Sequence, residues 1–128
     1  MSFVLDASAV LAVILDEDGA AMVLNHAADA HLSTVNASES MAKLMEYGLT
    51  PEQSRRQIDR LELNIHPFDI ELAASTATLR SSTKQFGLSL GDRACLALSQ
   101  RTGLPILTSD RRMAESKDVV GIDIRMIR

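Results

Sequence analysis

Short apolar runs alternate along the chain with stretches in which apolar residues recur at helical spacing. Runs of this length, bounded by turn residues, predict buried strands, and recurrence every three or four residues predicts helices packed on one side. The predicted strands are residues 3–5, 31–35, 63–66, 104–107 and the alternating segment 120–126. Strands that alternate with helices form a mostly parallel sheet covered on both faces, so the predicted fold class is α/β.

Two stripes of apolar residues are predicted to be the core-facing sides of helices. One lies before Gly48 and the other in a longer segment that ends at Gly87, and glycine commonly follows a helix end. The members are Met41, Leu44 and Met45 in the first stripe, and Ile70, Ala73, Ala74 and Ala77 in the second.

Four carboxylates lie where an apolar run gives way to a helix start. Asp6 follows the first strand, and Asp110 follows the fourth, just after Thr108 and Ser109. The crevice beyond the carboxyl ends of the strands is the usual ligand site of an open α/β sheet, so these two positions indicate a site.

The other two acids fall in predicted first turns of helices. Asn36 is predicted to cap a helix with Glu39 at its third position, and Ser89 to do the same with Asp92. A capping box explains either acid structurally, as it does in the segment 50–53. The combination of four acids, rather than any one of them, therefore indicates chemistry.

Length and composition restrict the remaining possibilities. A chain of 128 residues is predicted to be one domain, and its single cysteine, Cys95, cannot form an internal disulfide and is predicted to be a small core residue. The longest apolar run, residues 9–15, is too short to span a bilayer. The first residues lack the positive charge of a signal peptide, so we expect a soluble, cytoplasmic protein without a membrane partner.

Charge bears on the kind of site. A net charge of -4 argues against binding nucleic acid through bulk electrostatics, but not against a nucleic-acid enzyme. Four clustered carboxylates require a divalent cation, which makes the local field attractive to phosphate. Arg93, Arg111 and Arg112 flank two of the acids, either as RNA contacts or as solvated side chains. The three histidines lack zinc-ligand spacing, and no glycine-rich phosphate loop or serine nucleophile motif is present.

The segments FVLDASA, STVNASESMAKL, LSLGDRACLAL and PILTSDRRMAE resemble PIN-domain ribonucleases of the VapC toxin type over nearly all of the chain. The resemblance implies a single PIN domain, residues 1–128, folded as three α/β/α layers around a central, mostly parallel sheet. Met113 stands where many relatives carry tryptophan. The residues that match the four acids of the family are Asp6, Glu39, Asp92 and Asp110, with Ser8, Thr108 and Ser109 beside them as supporting polar groups and Arg93 and Arg111 as RNA contacts.

The same resemblance implies a Mg²⁺- or Mn²⁺-dependent endoribonuclease that acts as the toxin of a VapBC toxin-antitoxin pair. Asp6 and Asp92 would be the principal metal ligands, completed by Glu39 and Asp110. A water acidified by the metal would attack the phosphodiester and leave 5′-phosphate and 3′-hydroxyl ends. The implied partners are RNA (tRNA or rRNA at family level), a cognate VapB-type antitoxin, a second copy in a homodimer, and operator DNA through the antitoxin complex.

Two other functions remain open from the residues. In a phosphohydrolase of the haloacid-dehalogenase type, Asp6 would be the nucleophile, but such enzymes need a second acid where this chain has Ser8. A PIN-like scaffold would only bind a partner. The arginine-rich segment 50–62 is read either as a guide for RNA or as a solvated helix supported by a Glu52–Arg56 pair.

Overall fold

The computed structural model describes residues 1–128 and contains five strands and nine helices. The strands are β1 (Val4–Leu5), β2 (His31–Ser33), β3 (Asn64–His66), β4 (Ile106–Thr108) and β5 (Ile124–Met126). The helices are α1 (Ala7–Ile14), α2 (Ala20–Leu24), α3 (Thr34–Glu46), α4 (Pro51–Asp59), α5 (Ile70–Thr78), α6 (Arg80–Thr83), α7 (Leu90–Thr102), α8 (Arg111–Glu115) and α9 (Lys117–Val120). Two 3₁₀ turns, Ala27–Asp29 and Lys84–Phe86, complete the regular structure.

The five strands form one parallel sheet in the order β3-β2-β1-β4-β5, with β1 at its centre. Leu5 of β1 is in register with Leu32 of β2 and Leu107 of β4. Because all strands run the same way, the residues that follow β1, β2 and β4 meet at one edge of the sheet.

Successive strand residues point to opposite faces of the sheet, and each face has its own core. Leu5, Leu32 and Leu107 pack in the core beneath α1 to α4. Val4 and Ile106 pack in the second core, which includes residues of α5, α7 and α8. The predicted α/β class with three layers is therefore confirmed.

Two predicted strands are shorter than expected because a helix takes over their residues. Ser33 ends β2 and caps α3, with its hydroxyl accepting a hydrogen bond from the Val35 amide, so the predicted strand 31–35 is wrong at its last two positions. The alternation over 120–126 also overstates the last strand. Val120 ends α9, and Gly121, at a φ of 68°, stops that helix before β5 begins at Ile124.

The predicted core stripe of α5 is wrong. Ile70 is 79% exposed and Ala74 and Ala77 are exposed, whereas Leu72 and Thr76 are buried. A threonine holds a core position here, and alanines fit either side of a helix, so the apolar pattern misidentifies the packed face. In the first stripe only Leu44 is fully buried; Met41 is half-buried and Met45 is 40% exposed.

Other local predictions hold. The capping boxes of α4 (Thr50 with Gln53) and α7 (Ser89 with Asp92) are both formed. Cys95 is completely buried, and burial raises the pKa of its thiol well above the usual value, as for an inert core cysteine. None of the nine helices combines the length and apolar character needed to cross a bilayer.

Candidate active site

Asp6 is the centre of the site. It follows the central strand, caps α1, and is only 4% exposed. Its Oδ1 accepts hydrogen bonds from the Ser8 hydroxyl at 2.6 Å and from the Ala9 amide at 2.9 Å, and its Oδ2 accepts one from the Thr108 hydroxyl at 2.5 Å. Three donors therefore fix the orientation of a buried carboxylate.

A chain of hydroxyl and amide groups ties the end of β4 to Asp6. Ser109 donates its amide to Ser8 Oγ at 2.9 Å, and Asp110 donates its amide to Thr108 Oγ1 at 2.9 Å. The two hydroxyls lie 3.3 Å apart, but each has one hydrogen and directs it to Asp6. The structure thus brings Ser8 and Thr108 to the site through their side chains and Ser109 through its backbone.

Burial controls the protonation of Asp6. Desolvation raises its pKa to about 6, against a smaller lowering by Ser8, Thr108 and the Ala9 amide. The negative charge of Asp92 raises it further. The protein therefore keeps a carboxylate at this position at a cost in free energy, which a nearby cation would offset.

Glu39 lies on α3, and its carboxylate rests against the first turn of α7. Asn36 Nδ2 donates to Glu39 Oε1 at 2.8 Å and to the Gly91 carbonyl at 3.0 Å. Although the residue as a whole is exposed, partial desolvation raises the pKa of Glu39, and the charge of Asp92 adds to this, against the hydrogen bond from Asn36. The prediction that Asn36 caps α3 is wrong, because Ser33 is the cap and Asn36 is inside the helix.

Asp92 has the capping role that the sequence predicted and also acts on the other acids. Its Oδ2 accepts the Ser89 amide at 2.9 Å. Its charge raises the pKa of both Asp6 and Glu39, and all three charges raise the pKa of Cys95. Asp92 is therefore within electrostatic reach of both Asp6 and Glu39, and the three acids come from separate parts of the chain.

Asp110 is joined to this group by its backbone rather than by its carboxylate. Its Oδ1 accepts the Arg112 amide at 2.9 Å and caps α8, and the Arg112 guanidinium lies 3.9 Å from the same oxygen. In this conformation the carboxylate is turned towards the start of its own helix.

The arginines beside the acids differ in environment. Arg111 and Arg112 are exposed, whereas Arg93 is only 8% exposed and donates from Nη1 to the Thr76 carbonyl at 3.1 Å. Its Nε has no hydrogen-bond partner. Arg93 thus faces α5, and the expectation of a solvated side chain or an open RNA contact is wrong for it, because position 93 lies on the packed side of α7.

Comparison with known proteins gives the family. Residues 3–118 match the family model of the PIN domain. The chain belongs to the PIN-domain family. PIN domains are nucleases. No match is found among curated proteins.

Solved structures share the fold of this PIN domain over its whole length. The chain is similar to one in DNA-bound VapBC from Salmonella typhimurium, with a TM-score of 0.78, 19% identity, and 100% and 99% of the two chains covered. The match to a chain of VapBC2 from Rickettsia felis, bound to a promoter DNA fragment, has a TM-score of 0.74 and 16% identity, and covers 98% of each chain. The match to a chain of FitAcB from Neisseria gonorrhoeae has a TM-score of 0.67 and 22% identity, and covers 97% of this chain and 96% of the other. At these identities the likeness establishes the fold.

The donor set of this PIN domain fits a divalent cation in its chemistry, although it is not a preassembled cage. No three histidine, cysteine, aspartate or glutamate side chains converge at metal-ligand spacing. Mg²⁺ prefers carboxylate oxygens, keeps several waters, and commonly binds through one or two carboxylates together with substrate phosphates. Asp6 and Glu39, whose pKa values are both raised in part by Asp92, supply such oxygens.

Proposed function

We propose that this PIN domain is the toxin of a VapBC-type pair, a cytoplasmic endoribonuclease that depends on Mg²⁺ or Mn²⁺. One observation carries the proposal: Asp6 follows β1, Glu39 lies on α3 and Asp92 lies on α7, and the charge of Asp92 contributes to raising the pKa of both other acids. A protein without a cationic ligand gains nothing by gathering carboxylates that repel one another. The structural likeness to chains of VapBC complexes supports the toxin assignment.

Asp6 and Asp92 would hold the cation, and Glu39 and Asp110 would complete the site through waters or a second ion. When bound, the cation supplies positive charge to the phosphodiester and lowers the pKa of water. Ser8 and Thr108 keep the Asp6 carboxylate in one orientation and favour its ionised form.

We assign to Glu39 the role of taking a proton from the attacking water. Its Oε1 accepts a hydrogen bond from Asn36, so Oε2 would accept that proton. Attack of that water on phosphorus breaks the bond to the 3′ oxygen of the preceding nucleotide. The departing 3′ oxygen takes a proton from solvent, so the products are a 3′-hydroxyl and a 5′-phosphate, and the ribose 2′-hydroxyl is not consumed.

The exposed Arg111 and Arg112, next to Asp110, are our candidates for contacts with RNA phosphates. Arg93 is not, because it is buried against α5. We take the substrate to be a structured RNA of the tRNA or rRNA class. The proposed partners are a VapB-type antitoxin, a second copy of the chain, and operator DNA reached through the antitoxin complex.

A phosphohydrolase with Asp6 as nucleophile fits the geometry less well. Both oxygens of Asp6 already accept hydrogen bonds, and the residue two positions later is a serine that donates to it. The remaining alternative is a non-catalytic scaffold, which the cleavage experiment decides.

The test is cleavage of a structured RNA pool by purified, antitoxin-free protein with Mn²⁺ or Mg²⁺. We expect metal-dependent cuts that disappear in EDTA and in Asp6→Asn. The matched control is Asp69→Asn, because Asp69 also caps a helix but is exposed, ion-paired with Arg101, and lies outside the acid group. Asp69→Asn should cut like the wild type. Intact RNA despite demonstrated Mn²⁺ binding, or full activity of Asp6→Asn, would contradict the proposal.

A further inference from the structure

Asn36 is a buried residue whose amide joins α3 to α7. It is 1% exposed, and its Nδ2 donates both to Glu39 Oε1 at 2.8 Å and to the Gly91 carbonyl at 3.0 Å. Both partners are acceptors, so the nitrogen rather than the oxygen of the amide must face them. The orientation of Asn36 is therefore determined by the two groups that it connects.

Gly91 provides the space that Glu39 occupies. A Cβ atom built at this position would overlap the carboxylate carbon and both carboxylate oxygens of Glu39. Gly91 is helical and has no positive φ, so its backbone would accept any L-residue. The need for glycine here comes from the adjacent carboxylate and not from backbone conformation.

We propose that Asn36 and Gly91 act together as a clamp that positions Glu39 beside Asp92. Glu39 has three rotatable bonds, and without the clamp its carboxylate would be free to turn into solvent, away from the negative charge of Asp92. The amide donor holds one carboxylate oxygen, and the missing side chain admits the group against α7. Both are positioning residues, and the inference rests on the proposed function only in treating Glu39 as part of a cation site.

The bond to Gly91 does not by itself explain why Asn36 is polar. Its Oδ1 is buried without any hydrogen-bond partner, so the residue carries a desolvation cost that an apolar side chain of similar shape would avoid. Asn36→Leu should therefore still fold while releasing Glu39. This separates an effect on the site from an effect on the fold.

The test measures Mn²⁺ binding to the full chain without RNA, by electron paramagnetic resonance of free Mn²⁺ and by the thermal shift that Mn²⁺ produces. We expect Asn36→Leu to lower Mn²⁺ affinity about 10- to 100-fold, the usual effect of removing a group that orients a metal ligand. Gly91→Ala, which favours the helix, should do the same while keeping or raising the melting temperature of the metal-free protein. Ser40→Ala is the matched control, because Ser40 is buried on α3 but donates to the Asn36 backbone carbonyl and not to Glu39.

A double-mutant cycle assigns the effect to Glu39. In a protein that already carries Glu39→Gln, adding Asn36→Leu should cause no further loss of Mn²⁺ affinity, because the clamp then has no carboxylate to position. Wild-type affinity in Asn36→Leu and Gly91→Ala, or additive losses in the cycle, would overturn the clamp. If the wild type binds Mn²⁺ and the variants weaken it but no RNA is cut, the proposed function fails and the clamp stands. If the wild type binds no Mn²⁺, crystal structures of the wild type and of Gly91→Ala test the clamp instead. A Glu39 carboxylate in the same position in both structures would overturn the inference.

Discussion

Replacing Asp6 with asparagine should stabilise the metal-free protein. Asp6 is 4% exposed and its pKa is raised to about 6, from an ordinary value of 3.8. A carboxyl group whose pKa is higher in the folded than in the unfolded state binds its proton more tightly when folded. The contribution of Asp6 to the free energy of unfolding is therefore most favourable below about pH 4. It falls as the pH rises to about 6 and is constant at higher pH.

The size of the effect follows from this difference. Two pH units at about 1.4 kcal/mol each give about 3 kcal/mol of destabilisation by the Asp6 charge at neutral pH. Asparagine removes the charge but also replaces one acceptor with a donor, facing a hydroxyl of Ser8 or Thr108 or the Ala9 amide. We therefore expect a net gain of about 1–2 kcal/mol, a rise in melting temperature of roughly 5 °C for a chain of this size.

The assay is urea unfolding of wild type and Asp6→Asn in EDTA between pH 4 and pH 8. The difference between the two proteins isolates Asp6, because the other titrating groups are common to both. The free energy of unfolding of the variant, relative to that of the wild type, should increase from pH 4 to pH 6 and then stay constant. Adding Mn²⁺ should reverse the order, since a ligand at 100 times its Kd stabilises the protein that binds it by about 2.7 kcal/mol.

Two outcomes would refute this reasoning. A difference that does not change with pH would show that Asp6 titrates alike in the folded and unfolded states. A variant less stable than the wild type at every pH would show that the three hydrogen bonds outweigh desolvation, and that the carboxylate is structural.

Other predictions concern packing and the substrate. Leu107→Ala should lower the free energy of unfolding by about 2–5 kcal/mol in urea titrations, because Leu107 is fully buried in the central layer. Ile70→Lys should change the same free energy by less than about 0.5 kcal/mol, because Ile70 is exposed. Arg93→Met should cost no more than about 1 kcal/mol and should not affect RNA cleavage, because it removes a buried charge whose Nε is unpaired; loss of cleavage in a stable variant would restore Arg93 as an RNA contact. End analysis of cleaved RNA should give 5′-phosphates, and 2′,3′-cyclic phosphates would exclude attack by water.

The α/β class and the order of the elements were predictable because strands and helices have different apolar periods. The predictions are wrong where polar groups hold core positions or where capping chemistry overrides the pattern. Thr76 is buried in α5 although it is polar, and Ser33 ends β2 two residues early by capping α3. Neither event changes the hydrophobic pattern along the chain, so neither is visible in it.

The positions of Asp6, Asp92 and Asp110 at helix starts were predictable, whereas Glu39 lies in the second turn of α3 and not in the first. The side chains that contact those acids could not be predicted from the sequence. Asn36 lies at a position that suggested a helix cap, and its contact with Gly91 spans 55 residues of sequence. Arg93 is adjacent to an acid in sequence, but its side chain turns to the neighbouring helix. Such contacts depend on how helices pack, which local sequence does not encode.

The hydrogen bond from Thr108 to Asp6 joins residues 102 positions apart. Loop-closure entropy makes such a contact slow to form, so it depends on β4 having already paired with β1. A partly folded chain can contain the helices that carry Glu39 and Asp92 and still lack an oriented Asp6. For a nuclease, activity would then require the central sheet to be paired, so folding of the sheet and assembly of the site would be a single event.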